Sequence, residues 1–260
     1  MGRPHMARRS EVGGPSIDRR SARDDQAAGD RACVAGLGEY RRVMDIVIAG
    51  GHGKIAQQLE RLLADAGHRV RGLIRNPDHA ADLEAAGADP VVADLEELDV
   101  DALAQLLGSA DAIVFAAGAG PGSGPQRKWT VDYAGAVKLM EVARRNAIDR
   151  YVIVSSMGAD PEADDDGGFG TYVRAKGQAD QKLVESGLAY TIVRPGGLTD
   201  DPPAGRVKAG QDVGRGKIPR ADVAAVLAAV LETPEAAGLT FELISGETPI
   251  AEAIAQLIAR

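Results

Sequence analysis

Tyr172 and Lys176 stand four residues apart in GTYVRAKGQA, within a stretch of helical period, so both side chains project from one face of the predicted helix. A lone phenol is a poor acid–base group at neutral pH, but an ammonium one turn away favours its ionised form, and the pair can then move a proton. Ser155 and Ser156 precede this helix, at the carboxyl end of the run YVIV. That end of a strand is where ligands bind in open α/β sheets. A serine hydroxyl placed there can hold a carbonyl oxygen while the tyrosine donates its proton; turn-capping serines would look the same.

A second constellation lies near the beginning of the periodic sequence. The run DIVIA leads into Gly50-Gly51-His52-Gly53-Lys54-Ile55-Ala56 and then directly into an amphipathic segment. Gly50 permits a tight turn, Gly53 lets the backbone approach a pyrophosphate, and Ala56 allows close helix–sheet packing, while the helix N-terminus offers amides to negative charge. Gly50, Gly53, Lys54 and Ile55 are therefore expected at a dinucleotide. At the end of the second predicted strand, where a carboxylate would favour a ribose 2′-hydroxyl, the chain carries Arg75. A guanidinium suits a 2′-phosphate, which favours NADP(H) over NAD(H). Asp94 is placed to accept from the adenine amino group, with Leu95 against the ring, or to cap a short turn. Ala116, Ala117 and Gly118 leave room for ribose and backbone.

These residues need a scaffold that presents them at one edge, and the chain alternates apolar runs with helical segments from Met44 onward. The predicted strands are Asp45 to Ala49, Arg69 to Ile74, Pro90 to Ala93, Ala112 to Ala116, Tyr151 to Val154, Tyr190 to Val193 and Thr240 to Ile244. Runs such as IVIA, AIVFAA and YVIVS are apolar at successive positions, as in strands covered on both faces. Predicted helices cover KIAQQLERLLADAG, VDALAQLLGSA, WTVDYAGAVKLMEVARRNA, TYVRAKGQADQKLVESG and ADVAAVLAAVLET. The fold class is α/β, a doubly wound parallel sheet of Rossmann type in a single domain, residues 44–260. Loops 117–130, 157–170 and 196–219 are expected to line the substrate pocket, with Pro121 to Arg127 as a lid.

Residues 1–43 have no hydrophobic period and hold nine arginines against six acidic residues, which reads as a disordered leader: an extension ahead of a natural start at Met44, or a basic tail. The chain of 260 residues carries a net charge of -8, which disfavours nucleic acid, and lacks an apolar run long enough for a membrane span. A cytoplasmic protein with a small-molecule substrate, monomeric or homodimeric, is the expectation. Cys33 has no partner for an internal disulfide, and His5, His52, His68 and His79 lack metal-ligand spacing. The run Asp164-Asp165-Asp166 reads as a solvated loop, so no metal is expected. Aromatics are 3% of the chain, too few for a base-stacking platform.

From Met44 to the end the sequence resembles the short-chain dehydrogenase/reductase superfamily. AGGHGKIA is similar to the TGGTGFIG fingerprint of its extended and atypical branches, and SSMGAD, YVRAK and YTIVRPGGLTDDP follow in family order. The likeness is greatest to NmrA-like single-domain members. It implies Tyr172 as proton donor, Lys176 bonded to the nicotinamide ribose and Ser156, rather than Ser155, orienting substrate. It also places Pro195, Gly196 and Gly197 near the nicotinamide. Two departures stand out. Val131-Asp132-Tyr133 lies where better-known members carry an Asn that supports a proton-relay water, and only about 45 residues separate Pro195 from the last strand. The second disfavours a sugar-nucleotide epimerase or dehydratase relative to a small reductase acting on a carbonyl or quinone; a cofactor-sensing regulator without turnover is the other alternative.

Overall fold

The computed structural model describes residue 2 and residues 42–120, 122–165 and 167–260. The leader, Cys33, Pro121 and Asp166 lie outside the described residues. Within the unit Val43–Arg260, the apolar runs become strands because both faces of each are covered. In β1 (Asp45–Ala49), Ile46 and Ile48 enter one hydrophobic cluster while Val47 and Ala49 enter the other. The same alternation organises β2 (Arg69–Ile74), β4 (Ala112–Phe115), β5 (Arg150–Val154) and β6 (Ala189–Pro195), while the outer strands β3 (Asp89–Val92) and β10 (Leu239–Ser245) each add residues to one cluster. Among the described residues, these seven pair in parallel as β3-β2-β1-β4-β5-β6-β10. The order reverses between β1 and β4, and that switch point opens the crevice used by ligands in such sheets.

Helices α1 (Lys54–Asp65), α2 (Ala80–Ala85), α7 (Arg220–Leu231) and α8 (Ile250–Ile258) cover one face; α3 (Val100–Leu107), α5 (Ala136–Arg145) and α6 (Phe169–Glu185) cover the other. The apolar character of ADVAAVLAAVLE on nearly all sides has a simple cause: α7 packs on the sheet, on α1 and on α8. The segment predicted as one helix from Trp129 has two parts, a π-helical stretch over Lys128–Gly135 and α5, and a short helix α4 (Gly124–Arg127) precedes it. A π segment is rare and often marks a functional place; here it turns Asp132 inward to 1% exposure.

The region 196–219, expected as loop, holds β7 (Gly197–Thr199), β8 (Arg206–Gly210) and β9 (Lys217–Pro219). β7 and β9 form a separate two-stranded sheet, whereas β8 and β11 (Thr248–Pro249) extend the main sheet, β8 running antiparallel to β10. Fully buried Asp222 accepts from the Ala204 and Gly205 amides, at 3.0 and 2.8 Å, and fixes the approach to β8. Among the described residues no helix is long and apolar enough to cross a membrane.

Glu60 on α1 is fully buried, its carboxyl against Gly51 and Gly72, and neither oxygen has a hydrogen-bond partner. Burial pushes this carboxyl up to about 8. The folded state therefore binds a proton that the unfolded chain has released, so stability present at low pH is lost as pH rises between 4.5 and about 8. Glu60→Gln is expected to flatten this part of the denaturation-versus-pH curve. Glu60→Met is expected to gain on the order of a few kcal/mol near pH 8. Parallel pH curves for wild type and Glu60→Gln would contradict the assignment.

Candidate active site

At the switch point the glycine-rich turn is forced by space as well as by conformation. Gly50 has φ of +80°, and a Cβ there would lie 2.6 Å from the Ala117 Cα. The Gly53 amide donates to the Gly50 carbonyl at 2.8 Å, closing the turn just before α1. The α1 N-terminus has no side-chain cap, which leaves its first-turn amides to a ligand. A cleft opens here, and Gly50, Gly53, Arg75, Asp94, Leu95, Ala116, Ala117 and Gly118 all line it, as the sequence led us to expect. This cradle of small residues and open amides fits the pyrophosphate and adenosine of a dinucleotide.

Besides Lys176, the predicted binding residues Lys54, Ile55, Pro195 and Gly196 do not line this cleft. Lys54 extends outward, its ammonium 2.5 Å from Asp200, which also accepts from Arg220 at 2.6 Å. Ile55 packs its side chain into the core, so only its backbone belongs to the turn. Pro195 is buried at the end of β6, and the Gly196 amide donates to Leu243 at 2.9 Å. A Cβ on Gly196 would lie 2.5 Å from the Gly216 carbonyl oxygen, so close passage of the β9 approach accounts for this glycine. Asp94 spends one carboxylate oxygen capping the Glu96 amide at 2.8 Å, the turn-capping alternative, while still facing the cleft.

The sequence reading missed Glu96. Its carboxylate accepts from Thr130 at 2.6 Å and Arg127 at 2.7 Å, with Arg75 3.6 Å away. The Thr130 hydrogen bond and the Arg127 guanidinium hold this carboxyl below the usual range. The expected lid is thus partly a short helix, α4, tied by Arg127 to the cleft floor. No local signal in PGSGPQR predicts that contact, which spans 31 residues.

The other end of the site is built on α6. Gly177 lets this helix press against the turn after β5, since a Cβ there would lie 2.3 Å from Asp160 and Pro161 backbone atoms. Tyr172 lies in the first turns of α6 and Lys176 one turn later. Lys176 is 3% exposed; its ammonium donates to the Val154 carbonyl at 3.0 Å and pairs with Asp132 at 3.2 Å. The second Asp132 oxygen accepts from the Ala119 amide at 3.0 Å, in the loop that follows β4. Burial opposes the ammonium charge, but Asp132, Tyr172 and Asp180 outweigh it and hold Lys176 above its ordinary value.

Among the described residues the ammonium is hydrogen-bonded to Val154 and ion-paired with Asp132, which leaves N–H capacity for a ligand. Asp132 belongs to the stretch noted as departing from the Asn of better-known members, and its partner is the lysine itself. Asp132 was noticed in the sequence as a departure, but the role requires the π segment to turn it inward.

Ser155 and Ser156 separate cleanly. Ser155 is buried and donates to Asp180 at 2.8 Å, and Asp180 also accepts from Arg194 at 2.9 Å. Burial raises the Asp180 carboxyl above its ordinary value against the pull of Arg194. Ser156 is partly exposed, and its hydroxyl meets only the neighbouring Met157 carbonyl, at 3.2 Å, so it is the serine able to turn to a substrate. Around Tyr172, Phe169 lies 5.9 Å from its ring and the Lys128 ammonium 5.4 Å. Thr171 donates to Asp165 and accepts from the Gly167 amide, tying the acidic loop to α6.

Removing one partner of the buried pair is expected to be costly. Asp132→Ala should lose about 3–5 kcal/mol in chemical denaturation, because Lys176 is left buried without a counter-charge. Asp132→Leu combined with Lys176→Met should recover much of that stability. A single substitution without cost would contradict the ion pair.

With this geometry in hand, three relatives are informative. The family model described as NAD(P)H-binding matches residues 50–234. The uncharacterised sugar epimerase YhfK of Bacillus subtilis is 40% identical over 215 residues, covering 82% of this chain and all of that one. A proposed NAD-dependent epimerase/dehydratase from Bacillus halodurans has a similar structure, with a TM-score of 0.77, 37% identity and coverage of 82% and 100%. The oxidoreductase ylbE of Lactococcus lactis follows with a TM-score of 0.73, 27% identity and coverage of 84% and 98%. The chain therefore belongs to the NAD(P)H-binding family of oxidoreductase-type Rossmann proteins, in keeping with the NmrA-like likeness of its motifs.

Proposed function

We propose that this protein is an NADP(H)-dependent oxidoreductase acting on a small carbonyl, quinone or similar acceptor. The observation that carries this reading is the buried Lys176–Asp132 pair directly behind Tyr172, with the Ser156 hydroxyl at the end of the neighbouring strand. The nicotinamide, when bound, supplies the hydride that adds to the acceptor carbon. Ser156 orients the acceptor oxygen, and Tyr172 gives that oxygen its proton, so that hydride plus proton completes a two-electron reduction. Lys176 stabilises the phenolate left behind and offers its remaining N–H to the nicotinamide ribose. Asp132 holds the ammonium in place and links it to the Ala119 backbone beside the cofactor cleft.

The preference for NADP(H) is supported by Arg75. It lines the cleft at the end of β2 with 58% of its side chain exposed, and the carboxylate 3.6 Å from it, Glu96, is already hydrogen-bonded to Thr130 and Arg127. A guanidinium so placed is open to a phosphate.

The test is reductase activity with NADPH and NADH against aldehydes, ketones, quinones and flavins. Tyr172→Phe is expected to lower kcat by about 100-fold or more while NADPH binding persists. Turnover unaffected by the substitution would overturn the tyrosine chemistry. Because related chains carry epimerase names, product isomerisation without net NADPH oxidation is the result that would favour an epimerase. Tight NADPH binding with no reaction on the panel would favour the regulatory alternative.

A further inference from the structure

The outer wall of the adenosine end contains an arrangement that Arg75 does not explain. The imidazoles of His52, in the glycine-rich turn, and His79, after β2, stack with centroids 3.6 Å apart and planes at 15°. His52 in turn meets the Asp82 carboxylate at 2.8 Å through Nε2. Asp82 is on α2, so the stack and this bond join the pyrophosphate turn, the segment after β2 and the next helix. Both histidines line the same cleft as Arg75 and Asn76. The presentation of His79 follows from local structure: the Asn76 side-chain oxygen accepts the Asp78 amide at 3.1 Å, and Pro77–His79 form the short turn that follows.

We propose that His79, propped by His52 and Asp82, is the second arm of a 2′-phosphate site whose first arm is Arg75. This rests on the NADP(H) reading above and deepens it.

The chemistry around the β2 end is one-sided. Arg75 is a donor; Asn76, its oxygen spent on the turn, presents its amide NH2; and the His79 ring makes no hydrogen bond among the described residues. Of the carboxylates that line the cleft, Glu96 is committed to Thr130 and Arg127, and Asp94 gives one oxygen to the Glu96 amide. A ribose 2′-hydroxyl seeks an acceptor, whereas a phosphate seeks donors on several sides, and Arg75, Asn76 and His79 are donors that line this end. The Asp82 contact fixes the His52 ring, and a ring stacked face to face on a second imidazole orients it without blocking its nitrogens. His79 is thus held at the cleft rim by stacking with its ring nitrogens unspent, so part of its ordering cost is met before a ligand arrives.

Binding of four probes to the full-length protein, followed by calorimetry, separates the contributions: NADPH, NADH, adenosine 2′,5′-bisphosphate and AMP. His79→Ala is expected to weaken NADPH and the bisphosphate by about tenfold, leaving NADH and AMP unchanged. Asp82→Asn should shift the same two probes in the same direction by less. Equal weakening of all four probes by His79→Ala would show a mere wall and overturn the proposal, as would no change in any. The underlying reading fails separately, in the wild type: there the bisphosphate would bind no better than AMP, and Arg75→Ala would leave the ratio of NADPH to NADH affinity unaltered.

Discussion

A charge pair withdrawn from water organises this site. Lys176 and Asp132 are each almost completely buried, and an ammonium or a carboxylate alone would be intolerable there. Each is acceptable only because the other lies 3.2 Å away and because the Val154 carbonyl and the Ala119 amide take up further bonding capacity. These four groups come from α6, the π segment, the end of β5 and the loop after β4. The pair therefore fixes the helix that carries Tyr172 against both the strand that leads to Ser156 and the loop that borders the cofactor cleft. Positioning of proton chemistry and of cofactor are one mechanical problem in this chain.

The second constraint is steric. β1 and β4 come so close at the switch point that the Gly50 α-carbon has the Ala117 backbone where a side chain would be. Small residues at 116–118 then keep the cleft mouth open, and a Cβ on Gly118 would lie 3.2 Å from Asp132. The glycine-rich turn and the buried Asp132 carboxylate are thus linked across a few residues of one loop. Ser155, Asp180 and Arg194 add a parallel hydrogen-bonded chain beneath the same surface, directed at structure and leaving Ser156 for the substrate side.

Much of this was legible because it is local. The parallel strands announce themselves by runs that are apolar at successive positions, and the glycine turn by its place between a strand and a helix. Bounds drift by a residue, as at β3, where Asp89 rather than Pro90 begins the pairing. Edge elements escaped notice for a physical reason. The strand at Arg206–Gly210 reads RVKAG, half solvated and glycine-ended, and β11 is two residues long, so neither has the burial that writes a pattern into sequence. Helix α8, by contrast, carries a legible amphipathic period in IAEAIAQLI that went unread; its apolar face covers α7 and β8. The site shows the same division. Tyr172, Lys176, Gly50 and Arg75 are recognisable by spacing and context, whereas Glu96 and the Asp132–Lys176 pair depend on contacts over dozens of residues.

The most direct measurement is a crystal structure of the protein with NADPH. Lys176 is expected to keep Asp132 and Val154 while a further N–H reaches the nicotinamide ribose, with the Tyr172 hydroxyl facing the nicotinamide ring and Ser156 beside it. A bound nicotinamide remote from Tyr172, or a Lys176 side chain that abandons Asp132 to reach it, would contradict the claim that this buried pair is the fixed centre of the site.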